Sequence, residues 1–189
     1  MMRIRKREDE IMSDFITTYS GVHMVPVDPK PEEIHIQDIA HALSLLCRGN
    51  GHVKTFFSVG QHCIFCAKEA EARGYSKRIC LSCLLHDASE AYLSDITRPF
   101  KQYLKEYRRF EEKLLQVIYE KYLGSGLTEE EAHIVKEIDD VMLYYDLIEL
   151  LNEMPEGERP ELKSHISYEF IPFEQVEAEY KECFRRWYF

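Results

Sequence analysis

From Ile36 almost to the end of the chain, apolar residues return every three or four positions, and no comparable stretch alternates apolar with polar. A helix turns once in about 3.6 residues, so this period buries one stripe per segment, whereas a half-buried strand needs a period of two. The expected fold class is therefore all-α. Ile36, Ile39, Ala40, Leu43, Leu46 and Cys47 mark a first helix that stops before Gly49-Asn50-Gly51. Ser58 is placed to cap a second helix through Val59, His62, Cys63, Cys66, Ala67 and Ala70, ended by Gly74. Ser76 caps a third, through Ile79, Cys80, Cys83 and Leu84 and onward to His86-Asp87. Pro99 opens a fourth that runs to Leu123 with Tyr103, Tyr107, Phe110, Leu114, Val117 and Ile118 as its stripe. Thr128 and Glu131 form a capping-box pattern before a long fifth helix, and a last one spans residues 172–187, with Val176, Tyr180 and Phe184 inward.

Upstream, residues 14–33 read as a small β-hairpin or extended arm, because Thr, Tyr and Val surround Ser20-Gly21 and Pro26, Pro29 and Pro31 keep the chain extended. Residues 1–13 are a charged lead segment, 34–152 hold the helices that carry the candidate chemistry, and 165–189 form the C-terminal helix region. A length of 189 residues fits one domain. The net charge of -10 argues against a nucleic-acid polymer as partner, which needs a basic face, but not against a small phosphate ester. No apolar run approaches the roughly 18 residues of a membrane span, and the basic start lacks the apolar stretch of a secretory signal. The expectation is a cytoplasmic protein whose six cysteines are reduced thiols used mostly as small apolar fillers.

His86-Asp87, within Leu84-Leu85-His86-Asp87-Ala88-Ser89-Glu90, sets two kinds of metal ligand side by side in an apolar segment. Burying both without partners would cost several kcal/mol, about what a bound cation offsets. His62 and Asp139 are likewise ionisable groups where periodicity expects core. Together His62, His86, Asp87 and Asp139 offer two imidazoles and two carboxylates. Such a shell suits one divalent ion among Mn, Co, Ni, Fe, Zn and Mg, and in an octahedron it leaves two positions for water and a substrate oxygen. Glu90 follows His86 by four residues and Asp87 by three, so on a helix it projects to the same side. Asp95 adds an acid, although Ser94-Asp95-Ile96-Thr97 equally suits a turn or cap.

In order and spacing, His62, His86-Asp87 and Asp139 resemble the H…HD…D signature of HD-domain metal-dependent phosphohydrolases. His86-Asp87-Ala88-Ser89-Glu90, followed by Asp95 and Pro99, is similar to the 5′-deoxynucleotidase branch. Asp38-Ile39-Ala40-His41-Ala42-Leu43-Ser44, Cys47-Arg48-Gly49-Asn50-Gly51-His52 and Ser58-Val59-Gly60-Gln61-His62 resemble small bacterial and phage HD proteins, dATP triphosphohydrolases among them. The likeness covers about residues 15–150 and implies an HD-domain helical bundle, a metal held by the four ligands, catalysis through Glu90 and Asp95, and substrate contact through Arg48. Asn50, His52, Lys54 and Arg98 are further substrate-binding candidates, with Lys101 a weaker one; His41 and His52 are within reach of substrate or of the ligands' own partners. Two positions depart from the pattern. Gly49 has no ring to stack on a base where relatives carry an aromatic, and His23 stands in the arm where a basic residue is expected.

The implied reaction is attack of an activated water on phosphorus in a (deoxy)nucleotide, with Glu90 as general acid or base and the cations holding phosphate oxygens. Phosphate release from deoxynucleoside monophosphates is the first reading and dNTP triphosphohydrolysis the second. A non-catalytic nucleotide-binding HD protein is the third, and homo-oligomers are common in similar proteins. A competing use of the cysteines is a structural zinc on Cys63-Ile64-Phe65-Cys66 and Cys80-Leu81-Ser82-Cys83; against it, both pairs fall inside helical patterns rather than on turns.

Overall fold

The computed structural model describes residues 14–188; the charged lead segment expected over residues 1–13 lies outside them. The fold is all-α with one small antiparallel hairpin, β1 (Ile16–Thr17) and β2 (His23–Met24), paired Ile16 to Met24 and Thr17 to His23. The helices are α1 (Ile36–Leu45), α2 (Val59–Ala72), α3 (Lys77–Leu85), α4 (Glu90–Leu93), α5 (Arg98–Lys101), α6 (Lys105–Leu123), α7 (Glu129–Leu151) and α8 (Phe173–Trp187).

The caps form where the sequence places them. Ser58 and Gln61 make a reciprocal capping box at α2, Thr128 and Glu131 make another at α7, and Ser76 accepts from the Ile79 amide at α3. Two expectations are corrected. The third helix does not carry on through the doublet: α3 ends at Leu85, His86 caps it, and a tight turn leads into α4. The fourth helix is broken into α5 and α6, and Tyr103, placed in its buried stripe, is exposed between them. Leu114 and Ile118 face the core as expected, joined by Tyr119 and Tyr122 of α6.

Helices α2 and α3 form the centre, with α7 against both, α6 against α3, and α8 closing over α1, α2 and α3. Tyr180 of α8 is fully buried and donates its hydroxyl to the Leu84 carbonyl at 2.7 Å, so the closing helix holds the end of α3. Burial of each large side chain such as Phe57, Leu84 or Leu114 contributes roughly 1.5–3 kcal/mol. Gly60 allows α1 and α2 to touch: a Cβ there would sit 3.2 Å from backbone atoms of Leu43 and Ser44. The arm is tied to α1 by Ser20, whose amide and hydroxyl donate to the Asp38 carboxylate at 2.7 and 2.8 Å. The segment between α7 and α8 is held by buried Glu69, which accepts from Arg73 at 2.8 Å and from the amides of Lys163 and Ser164 at 3.1 and 2.7 Å. No described helix is long and apolar enough to cross a membrane.

Candidate metal centre

Three elements bring the candidate ligands together: α2 supplies His62, the turn after α3 supplies His86 and Asp87, and α7 supplies Asp139. His62 Nε2 lies 3.1 Å from Asp139 Oδ1. His86 Nε2 lies 3.3 Å from Asp87 Oδ2 and 3.6 Å from Asp139 Oδ1. An ion with bonds of about 2.1 Å sets neighbouring ligand atoms about 3.0 Å apart in an octahedron and about 3.4 Å apart in a tetrahedron, so the spacings among His62, His86 and Asp139 fit a shared cation. Asp87 stands beside His86, but its ligand atoms group within 4.8 Å with those of His86 and Cys63 rather than with His62 and Asp139.

The tautomers fit it as well. His86 Nδ1 donates to the Cys83 carbonyl at 2.7 Å, which turns Nε2 inward, and Nε2 is buried without a hydrogen-bond partner among the described residues. His62 Nδ1 lies 2.9 Å from buried Asp146, an arrangement that leaves Nε2 of a neutral ring facing a carboxylate oxygen. Without an ion, protons on the imidazoles join the guanidinium groups of Arg48 and Arg98 in supplying the positive charge these carboxylates demand. Burial alone would lower His86, but Asp87 and its other neighbours hold it well above the usual imidazole range. Burial opposes the ionised forms of Asp87 and Asp139 too, yet the two imidazoles keep Asp139 well below the usual carboxylate range, and His86 and Arg48 do the same for Asp87. A buried site this negative is suited to a dication.

The cluster opens on a cavity of about 560 Å³, a size typical of small-molecule sites. Glu90 and Asp95 line it. Glu90 is buried, its Oε2 has no hydrogen-bond partner among the described residues, and burial together with Asp87 and Asp95 pushes its carboxyl well up. Burial raises Asp95 as well. Ser94, at φ 72°, reverses the chain between the two acids.

Three cations line the same cavity, each already paired. Arg48 reaches Asp146 at 3.2 Å and Asp87 at 3.5 Å. Arg98 reaches Asp139 at 2.5 Å and Asp140 at 2.9 Å, and Lys101 reaches Glu111 at 2.7 Å and Glu90 at 3.7 Å. Asn50, His52 and Lys54 are not brought there. They are exposed and outside the lining, because the backbone turns away at Gly49 and Asn50, both left-handed at φ 57° and 53°. His41 is also elsewhere, stacked on Tyr19 at 3.6 Å and bonded to Glu177 at 2.9 Å. His23 is exposed in the hairpin against Phe15. The four CxxC thiols are buried, but no set of ligand atoms among the described residues joins all of them; Cys63 and Cys66 instead approach the histidines.

Sequence reasoning missed Asp146. It accepts from His62, Arg48 and Tyr168, the last at 2.9 Å, and so fixes the His62 ring and ties the α7–α8 segment to the centre. The available signal was its place two helical turns beyond Asp139 on the same face of α7.

No protein-family model matches the chain. Among curated proteins, the 5′-deoxynucleotidase VV1113 of Vibrio vulnificus is 30% identical over 93 residues, 41% of this chain and 48% of that one. The uncharacterized protein RCAP_rcc00048 of Rhodobacter capsulatus is 35% identical over 106 residues, covering 53% and 54%, so the chain spans about half the length of these two relatives. YfdR of Escherichia coli K12, itself described as uncharacterized, is 40% identical over 129 residues, 68% of each chain. At that identity and coverage, this chain belongs to the family of YfdR.

Proposed function

We propose that the protein is an HD-type, metal-dependent phosphohydrolase acting on deoxynucleoside monophosphates. The observation that carries this reading is the meeting of His62, His86 and Asp139, with Asp87 beside His86, behind a cavity lined by Asp87 and Asp139 together with Glu90, three cations and an apolar wall. The distant likeness to a 5′-deoxynucleotidase points the same way.

A divalent ion held by the four ligands supplies Lewis-acid stabilisation of phosphoryl oxygens and lowers the pKa of water. The remaining roles fall to the chain itself. Glu90, whose carboxyl burial and the acidic neighbours Asp87 and Asp95 push well up, is suited to donate a proton to the leaving ester oxygen. Asp95 shares its surroundings and supports the return of that proton. Arg48 and Lys101 are suited to hold phosphate oxygens by charge-assisted hydrogen bonds. Leu143, Leu147, Leu150 and Val53 offer the sugar and base a dry surface.

Charge favours the monophosphate over the triphosphate. The lining carries acids at Asp87, Glu90, Asp95, Asp139, Asp146 and Glu153 against only Arg48, Arg98 and Lys101. A dication roughly balances that excess, and little positive charge is left for a polyphosphate tail. The test is release of orthophosphate, pyrophosphate and tripolyphosphate from deoxynucleoside mono- and triphosphates with Mn, Co, Ni, Zn or Mg, using His86→Ala as control. Orthophosphate from monophosphates, lost in the control, supports the reading. Tripolyphosphate from triphosphates replaces it with triphosphohydrolysis, and binding without release replaces it with a nucleotide-binding role.

A further inference from the structure

One thiol stands inside the ligand cluster. Cys66 follows His62 by four residues on α2, so the two side chains share a face, and its Sγ lies 3.5 Å from His62 Nε2. The ligand atoms of His62, Cys66, His86 and Asp139 all lie within 4.8 Å of one another. Cys66 is 1% exposed, and the buried His86 Nε2, without a hydrogen-bond partner among the described residues, is aimed into the same space. Cys63 approaches only His86 and Asp87.

We propose that Cys66 is a ligand for thiophilic divalent ions, completing a tetrahedron with His62, His86 and Asp139 that competes with the Asp87-containing set. This rests on the reading of these residues as a metal centre. The two sets share three ligands and differ in the fourth. A hard ion such as Mn²⁺ favours the carboxylate of Asp87, whereas Zn²⁺, Co²⁺ or Cd²⁺ favours sulfur. On sulfur binding, the thiol proton leaves to solvent and the metal–sulfur bond takes its place. Asp87 then keeps a partner, because Arg48 lies 3.5 Å away. The two states differ in what they leave open: a four-coordinate His, His, Asp, Cys shell resembles closed structural zinc sites, whereas the oxygen-rich shell keeps positions for water and substrate. Thiophilic ions therefore silence the centre and hard ions open it.

The test loads the metal-free full chain with Co²⁺ alone and records its absorption. Wild type is expected to show a near-ultraviolet sulfur-to-cobalt charge-transfer band together with intense visible bands of tetrahedral cobalt. In Cys66→Ser the charge-transfer band disappears while weaker visible bands persist; in Cys63→Ser both remain. Zn²⁺ affinity falls in Cys66→Ser by at least the roughly 10- to 100-fold that loss of a ligand's outer partner costs, while Mn²⁺ affinity is nearly unchanged. Visible cobalt bands without charge transfer in wild type overturn the role of Cys66 and leave the metal centre standing. Charge transfer that survives Cys66→Ser and vanishes in Cys63→Ser also overturns it. Absence of any cobalt binding overturns both the thiol ligand and the metal centre beneath it.

Discussion

Replacing Asp146 by Asn removes one negative charge without changing the side chain's outline. In the native protein this carboxylate is buried and sits 2.9 Å from His62 Nδ1, 3.2 Å from Arg48 Nη2 and 2.9 Å from the Tyr168 hydroxyl. Burial opposes its ionisation, but His62 and Arg48 hold it below the usual carboxylate range, so the charge is present at neutral pH. That charge makes the His62 ring a stronger donor to an ion and fixes its orientation. Loss of such a partner costs about 10- to 100-fold in metal affinity, or about 1.4–2.8 kcal/mol at about 1.4 kcal/mol per tenfold. Of its two ion pairs Arg48 keeps only the longer one, with Asp87. Isothermal titration of the metal-free protein with Mn²⁺ measures the affinity, and the urea midpoint reports stability separately. Tyr168→Phe is the graded control: it removes one hydrogen bond, worth about 1 kcal/mol, and lowers affinity less. A folded Asp146→Asn protein that binds Mn²⁺ as tightly as wild type refutes the assignment of Asp146 as the group that positions His62.

Glu90→Gln keeps the metal ligands and loses the proton donor, so Mn²⁺ binding persists while turnover of a deoxynucleoside monophosphate drops by about 10²- to 10⁴-fold; equal turnover removes Glu90 from the chemistry. Glu69 lies below the usual carboxylate range because, against burial, Arg73 and the amides of Ser164 and Lys163 stabilise its charge. Its stabilisation is complete above the unfolded value of about 4.3 and is lost as pH falls through the lower folded value. The urea-midpoint advantage of wild type over Glu69→Gln should therefore shrink on acidification below about pH 4.3, and a constant gap contradicts the assignment. Gly60→Ala forces a Cβ against the backbone of Leu43 and Ser44. Overpacking of about 1–3 kcal/mol outweighs a helix-propensity gain of at most about 1 kcal/mol, so a rise in melting temperature would show that α1 moves aside.

Most of the helices were legible, and the four candidate ligands could be singled out, because each signal is written locally. Caps at Ser58, Ser76 and Thr128 and the three-four period need no knowledge of partners, and His62 and Asp139 stood out as ionisable groups on apolar stripes. What escaped depends on contact. Cys66 reads as a small apolar filler until α7 and the turn after α3 place ligands around it. Asp146 looks like a polar interruption in Tyr144-Tyr145-Asp146-Leu147 until His62 and Tyr168 reach it. The end of α3 at Leu85 was hidden because Ala88, Ser89 and Glu90 all continue a helical pattern, although the backbone tightens there and sets His86 as its cap. Asn50, His52 and Lys54 were grouped with Arg48 by adjacency, but two left-handed residues in succession separate neighbours in sequence from neighbours in space.

The Tyr168–Asp146 contact joins a connecting segment to the histidine that would carry an ion. Binding equilibria of this kind are reciprocal: whatever free energy the ordered strap lends to ion affinity, the ion returns as order in the strap. Saturation with a divalent cation should slow proteolytic nicking between α7 and α8, and a single cut there should weaken cation retention by the matching factor.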